Sequence, residues 1–322
     1  MVFYLQIAQK KFTKSNHFNM HIIYVGTPEF SVSFLETLIS AGHIPVAVVS
    51  QPDKPQGRKH ISEPTPVKKC AEHHNIPVLQ PTDINTPEAL DKIRTFQPDI
   101  IVVVAFGQIL KKEILTLPRF GCINVHPSLL PKYRGAAPLQ EAILHGDTET
   151  GVSIIHMDTK MDHGPILAQE KISLSSDETL PSLRKKTTTI GSRLLIDVTK
   201  QIQDGTVQLR PQDDTAATYT RLLTRESGKI DWKKSASEID CKIRALNPWP
   251  GTWTELNGVR LKILKAHPAE LFIPHNEKHI FEHHGTLIAQ CGGGFLQLDS
   301  VQLEGKKVLT GADFARGYKN RL

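Results

Sequence analysis

The chain has 322 residues, 39% of them hydrophobic and 22% charged. That is too long for one ordinary domain and short for three, and the composition excludes collagen, coiled coil and wholesale disorder. A net charge of +6 favours an anionic partner, and the four cysteines form no CxxC pair, which fits a reducing, cytoplasmic setting.

Residues 1–19 read as an N-terminal extension without regular structure. The apolar stretch is too short for a signal peptide, and the absence of arginine disfavours a mitochondrial presequence. His21–Val25 reads as a buried strand. Pro28 suits a first helical turn, Phe30, Phe34, Leu35 and Leu38 recur at helical spacing, and Gly42 ends the helix. Val46–Val49 is a second β-branched strand, so the unit is βαβ and its sheet parallel. The prolines and Gly57 of Gln51–Pro66 predict a loop with no regular element.

Val67–His74 and Glu88–Phe96 are predicted helices. Ile100–Val104 is all aliphatic, as a central parallel strand covered on both faces should be. Cys122–His126 is a further strand. Pro138–His145, closed by Gly146, is a short helix. Val152–Met157 and Ile166–Leu174 read as strands and Glu178–Gln203 as a long helix. No stretch approaches the roughly 18 apolar residues of a membrane span.

The pattern changes after a polar stretch with Gly205 and Pro211. Beyond one amphipathic helix, Ala236–Leu246, come short strands at Thr252–Glu255, Val259–Ala266, Gly285–Gln290 and Phe295–Gln302, with a hairpin signal at Asn257-Gly258. The expected organisation is an α/β domain over 20–203, a linker over 204–217 and a small β-barrel over 218–322, a common nucleic-acid platform.

Asn124 and His126 stand two apart on a predicted strand, so both side chains share one face. They lie near the strand's C-terminal end, where open α/β sheets bind ligands. An amide donor beside an imidazole suits acyl transfer, which needs a donor for an oxyanion and a group to move a proton. Spacing alone leaves open a strand-end asparagine in a turn and a surface histidine. The segment Ser128–Pro138, with prolines flanking Arg134 and Gly135, reads as a rigid loop across the sheet top, able to hydrogen-bond a flat heterocycle, or as a plain connection. Asp162 lies in a Gly/Pro turn between two strands. A carboxylate there can orient His126, although aspartate before a turn is also ordinary turn chemistry.

Taken together, Asn124-x-His126, the SLLPKYRGAAP segment and Asp162 resemble the site of the 10-formyltetrahydrofolate-dependent formyltransferases. Val25–Phe30, Gln51–Arg58 and Asn247-Pro-Trp-Pro-Gly251 are similar to the members that act on aminoacylated initiator tRNA. The likeness runs from about His21 to the C-terminus. It implies a Rossmann-like, mostly parallel sheet with helices on both faces, followed by an OB-like barrel. It implies transfer of the formyl group of 10-formyltetrahydrofolate to the methionine amine of initiator tRNA, in the cytoplasm, by a monomer without a metal. Carried over by residue, Asn124, His126 and Asp162 are catalytic, and Ser128, Leu129, Leu130 and Pro131 border the folate. His163 departs from the pattern, which more often has Thr or Ala there.

Lys54, Arg58 and Lys59 in the Gln51–Pro66 loop, and Arg221, Lys233, Lys234 and Lys262 beyond the linker, are expected to meet tRNA. Any one of them could equally be a solvated surface charge. His275, His279, His283 and His284 match no standard ligand pattern and read as a solvated loop. Gly26-Thr-Pro-Glu lacks the later glycines of a dinucleotide fingerprint, which disfavours a dehydrogenase. The alternatives are a formyltetrahydrofolate deformylase, another folate-dependent formyltransferase, or a non-catalytic RNA-binding protein. Neither of the first two needs a C-terminal barrel to hold a polymer, and a pure binder has no use for the Asn-His-Asp group.

Overall fold

The computed structural model describes residues 20–56, 61–271 and 279–318. The N-terminal extension, Arg58, Lys59 and His275 lie outside the described residues. The chain forms two compact units. The first comprises residues up to Gly135, Thr150–Ile172 and Arg184–Tyr219. The second comprises Ala136–Glu149, Ser173–Leu183 and Thr220 onward.

In chain order the elements begin with β1 (Ile22–Gly26), α1 (Glu29–Ser40), β2 (Ala47–Val49), β3 (Lys54–Gln56), β4 (Ile61–Glu63), α2 (Pro66–His73) and β5 (Val78–Leu79). Then follow α3 (Pro87–Thr95), β6 (Ile100–Val104), α4 (Lys112–Leu115), β7 (Cys122–His126), α5 (Pro138–Leu144), β8 (Glu149–His156), β9 (Ile166–Ser173) and α6 (Leu180–Asp204). Seven strands make one sheet in the order β5-β2-β1-β6-β7-β8-β9. From β5 to β7 every neighbour is parallel, and β8 runs antiparallel to β7.

The aliphatic runs lie where both faces are covered. All five residues of β1 and all five of β6 are buried, because a central parallel strand meets helices on both sides. The order reverses at β1, between β2 and β6, and such a switch point opens a crevice at the strands' C-terminal ends. Gly26 closes β1 there. A Cβ on it would lie 2.0 Å from Ser31 Oγ and 2.9 Å from the Val104 carbonyl, so no larger residue fits. Thr65 and Thr86 cap α2 and α3 by accepting from Lys68 N and Ala89 N, each with proline at the first turn.

Two sequence expectations are corrected. The Gln51–Pro66 segment is not without regular structure: β3 and β4 pair antiparallel as a two-stranded ribbon. A proline is tolerated in such a ribbon where its missing N–H would face away from the partner strand. Asp53 ties the ribbon's base to Lys68 of α2, 2.6 Å away, and to Gln80. The second correction concerns the histidine-rich stretch. Ile280–His283 is a strand, because Ile280 and Phe281 are apolar and buried, whereas His279 and His284 beside it are exposed and outside it.

The second unit holds α5 and continues with α7 (Ala236–Leu246), β10 (Thr252–Leu256), β11 (Val259–Ala269), β12 (Ile280–His283), β13 (Thr286–Gln290), β14 (Phe295–Leu303), β15 (Val308–Thr310) and α8 (Gly311–Gly317). Its strands form an antiparallel sheet in the order β10-β11-β14-β13-β12, with β15 also on β14. Register shifts at Ile263/Lys265 and Lys265/Ala266 interrupt β11, and bulges of this kind bend long strands, as an OB-like barrel requires. Ile239 and Ile243 of α7 pack with Leu261, Ile263, Leu296 and Phe314 in its core. Ser235 and Glu238 form a capping box at the start of α7.

Candidate active site

The site is built at the C-terminal end of β7. Period two puts Asn124 and His126 on one face, and β7 continues into the loop that carries Tyr133, Arg134 and Gly135. Asp162 reaches the same place from the turn between β8 and β9. Its φ is +47°, in the left-handed region, and Tyr133 opposite has φ +61°. Two non-glycine residues held in this sparsely populated region mark a locally strained site, over-determined by its surroundings. Gly164 makes the turn possible, since a Cβ there would lie 1.8 Å from the His156 carbonyl oxygen.

One carboxylate organises the group. Asp162 Oδ1 accepts from Asn124 Nδ2 at 3.3 Å, and Oδ2 accepts from the Gly135 N–H at 2.8 Å. His126, 3% exposed, places Nδ1 3.5 Å from the same Oδ2. Its Nε2 lies 3.0 Å from the Tyr133 carbonyl oxygen. A carbonyl only accepts, so Nε2 carries a proton and donates it, while Nδ1 faces Oδ2 of Asp162. The Asn124 amide is oriented in the same way: the carboxylate demands the NH₂ group. One of its two N–H bonds goes to Asp162, which leaves the other for a ligand.

A buried cation holds the loop. Arg134 is 1% exposed, and its guanidinium donates to Gln212 Oε1 from Nε (3.1 Å) and Nη2 (2.8 Å). It also donates to Asp214 Oδ1 (2.8 Å) and to the Tyr219 hydroxyl (3.2 Å). Gln212 Nε2 in turn donates to the carbonyls of Asp162 and Gly164, at 2.8 and 2.7 Å. Thr218 adds backbone contacts to the loop, accepting from Arg134 N and donating to the Pro131 carbonyl. The segment read as a linker therefore braces the site through Gln212 and Asp214, and Thr218 just beyond it does the same. A pairing across 78 residues leaves no local signal in the sequence.

A cavity of about 490 Å³ adjoins Asp162 in the chain, lined among others by Leu115, Thr116, Asp158, His163, Pro165 and Gln212. His163 stands between two carboxylates there, Asp158 at 2.6 Å and Asp214 at 3.1 Å. None of Ser128, Leu129, Leu130 and Pro131 lines this cavity. Ser128 is fully buried and donates to the Lys132 carbonyl. Leu130 is buried against Ile155 and Ile166, whereas Leu129 and Pro131 are half-buried.

Of the residues expected to meet tRNA, Lys54 is exposed next to Asp53 in the first unit. Arg221, Lys233, Lys234 and Lys262 are exposed on the second, where Lys234 pairs with Glu238 at 3.1 Å and Lys262 stands across from Trp253 in the β10–β11 ladder. Arg260 covers the Trp253 ring, 4.0 Å from its centroid, a cation that sequence patterning did not single out.

An Asn-His-Asp group at the end of a strand of a switch-point sheet, with an antiparallel barrel-like unit, is the architecture of a group-transferring enzyme, and the chain belongs to the formyl transferase family. Residues 19–199 match the formyl transferase domain and residues 222–319 the formyl transferase C-terminal domain. The chain is similar to the methionyl-tRNA formyltransferase of Agathobacter rectalis, 46% identical over 301 residues that make up 92% of this chain and 96% of that protein. It is likewise similar to that of Citrifermentans bemidjiense, 43% identical over 93% of this chain and 94% of the relative. Among solved structures, the N-formyltransferase from Helicobacter canadensis in complex with folinic acid and dTDP-3-aminofucose shares the fold. Its TM-score is 0.65 at 22% identity, over 87% of this chain and 98% of that one. Among the described residues, no helix is long and apolar enough to cross a membrane.

Proposed function

We propose that this enzyme transfers the formyl group of 10-formyltetrahydrofolate to the α-amine of methionyl-tRNA, giving N-formylmethionyl-tRNA for translation initiation. It works in the cytoplasm, as a monomer, with initiator tRNA as its macromolecular substrate. The convergence of Asn124 and His126 on the two oxygens of Asp162 carries this reading for the chemistry. The methionyl-tRNA formyltransferase relatives, matched over nearly their whole length, support it for the acceptor.

The folate is a co-substrate, consumed in each turnover. The cavity beside Asp162 suits a flat heterocycle: Leu115 and Pro165 offer apolar walls, and Asp158 offers an acceptor for ring N–H groups. Ser128 and Leu130 are buried and hold the loop's shape, which leaves the half-buried Leu129 and Pro131 as the segment's candidates for folate contact.

The acceptor amine needs no covalent relay, because an α-amine with a pKa of about 7.7–8.0 is partly neutral near pH 7. Attack on the formyl carbon drives charge onto its oxygen. Asn124 donates its free N–H to that oxyanion. Asp162, held by Asn124 on Oδ1 and by the Gly135 N–H on Oδ2, takes the amine's proton on the remaining lone pair of Oδ2. His126 Nδ1 faces Oδ2, so the proton can be shared within the pair and returned to the leaving folate nitrogen. The Tyr133 carbonyl keeps the imidazole in the tautomer this exchange requires.

The test is formyl transfer from 10-formyltetrahydrofolate to Met-tRNA, with free methionine and water as competing acceptors. Preferential formylation of Met-tRNA is expected. Turnover dominated by water would make the enzyme a deformylase, and binding of tRNA without turnover would leave it a non-catalytic RNA-binding protein.

A further inference from the structure

Three side chains on two packed helices of the first unit converge outside the site above. Cys70 and His74 stand four apart, on the last turn and C-cap of α2, so they share one face. Glu36 projects from α1 between them. Cys70 Sγ lies 3.2 Å from Glu36 Oε1, and His74 Nε2 lies 3.1 Å from Glu36 Oε2. One donor atom from each residue, sulfur, nitrogen and oxygen, falls within 4.8 Å of the other two. Ligands placed 2.0–2.3 Å from a tetrahedral zinc lie roughly 3.3–3.7 Å from one another, so the triad needs only small side-chain shifts to close on an ion.

We propose that Glu36, Cys70 and His74 form a binding site for a thiophilic divalent cation, Zn²⁺ by chemistry, with the fourth position open to water. The donor set argues for zinc over the hard cations, since thiolate and imidazole are poor ligands for Mg²⁺ or Ca²⁺. Two ligands at i and i+4 on one helix chelate, and the third, from α1, ties that helix to its neighbour. Cys70 is buried, while His74 and Glu36 are partly open, which leaves a path from solvent. Without metal the Cys70 thiol donates to Glu36. On binding, the S–H bond breaks, the proton leaves to solvent and the sulfur lone pair bonds the ion, with no change of oxidation state. None of the three belongs to the transfer machinery, so the ion acts on the α1–α2 pair and not on the reacting atoms.

The experiment uses the full chain, stripped with a chelator and kept reduced, titrated with Co²⁺ as the spectroscopic probe. A thiolate-to-cobalt charge-transfer band saturating at one ion per chain is expected, bleached by Zn²⁺. Cys70→Ser should lose the band, and His74→Ala and Glu36→Gln should weaken binding while formyl transfer stays at the wild-type rate. The variants' transfer rates also report that they fold. Absence of a band in the wild-type chain, or a band that persists unchanged in Cys70→Ser, would overturn the assignment.

Discussion

The Gln212 side-chain oxygen takes two hydrogen bonds from the buried Arg134 guanidinium, at 3.1 and 2.8 Å, while its nitrogen holds the carbonyl of Asp162 at 2.8 Å. One neutral amide thus links the cation that fixes the loop after β7 to the backbone of the carboxylate that orders Asn124 and His126. Both contacts are charge-assisted or made to a strained turn, where lost geometry costs most.

Gln212→Ala should therefore behave as a positioning defect. It strips Arg134 of an acceptor in a buried setting, which costs about 1–3 kcal/mol of stability. It also frees the Asp162 turn. The expected outcome is a lowered melting temperature and a fall in kcat, with affinity for Met-tRNA unchanged. Thermal unfolding, single-turnover transfer and tRNA binding on the same preparation check it. Wild-type kcat in a destabilised Gln212→Ala would show that the strut serves folding only.

Asn124, His126 and Asp162 should fail as a unit. Asn124→Ala removes the donor aimed at the oxyanion, a loss of about 2.7–4 kcal/mol of barrier stabilisation. Asp162→Ala removes the carboxylate that orients Asn124 and faces His126, so Asn124→Ala added to it should cost far less than it does alone. His126→Ala should lower kcat with little change in tRNA affinity. A double-mutant cycle on kcat/KM measures the coupling, and strict additivity would place Asn124 and Asp162 in separate roles.

Much of this geometry is visible in the residue order, and the invisible part has a common cause. The aliphatic runs of β1 and β6 and the Asn-x-His pair of β7 are local patterns, set by strand periodicity. Asp162 stands out only through its resemblance, because aspartate in a turn is ordinary. The Arg134–Gln212 link joins residues 78 apart through a segment whose polarity reads as linker. The β3–β4 ribbon is hidden by Pro55, since proline counts against a strand unless the orientation of its nitrogen is known. Similarly, the apolar pair Ile280 and Phe281 is too short to stand out beside its histidines.

Acid should loosen the brace before it unfolds the sheet. The Arg134 guanidinium, followed by His163, holds the Asp214 carboxyl below its ordinary value of 3.8. A carboxyl whose folded-state pKa is depressed contributes stability above its unfolded pKa, and loses it as pH falls through the folded value. The stabilisation by Asp214 is thus present near neutrality and fades only below about pH 4. Asp214→Asn should lower the melting temperature at pH 7 and flatten its fall on the acid side. Parallel melting curves for wild type and variant between neutrality and pH 3 decide this. A constant offset across that range would mean that Asp214 acts by shape and not by charge.

Two kinds of cation should be separable by their salt and sequence signatures. Lys262 is exposed on β11 beside the Trp253–Arg260 pair, a surface suited to a phosphate backbone. A lost phosphate contact weakens binding to every tRNA alike and reduces the salt dependence of log K by about one. Lys262→Ala should do this and leave the ratio of initiator to variant tRNAs intact. Arg58 lies outside the described residues, between β3 and β4 in the sequence. An arginine can make bidentate contacts to base edges that a lysine cannot. Arg58→Ala should cost about 1–3 kcal/mol in transfer efficiency and change discrimination among acceptor-stem variants, and Arg58→Lys should already show part of that loss. The measurement is kcat/KM on initiator tRNA and a set of acceptor-stem variants at two salt concentrations. If Arg58→Ala lowers all of them equally and shifts only the salt slope, Arg58 is one more phosphate contact and specificity resides elsewhere in the enzyme.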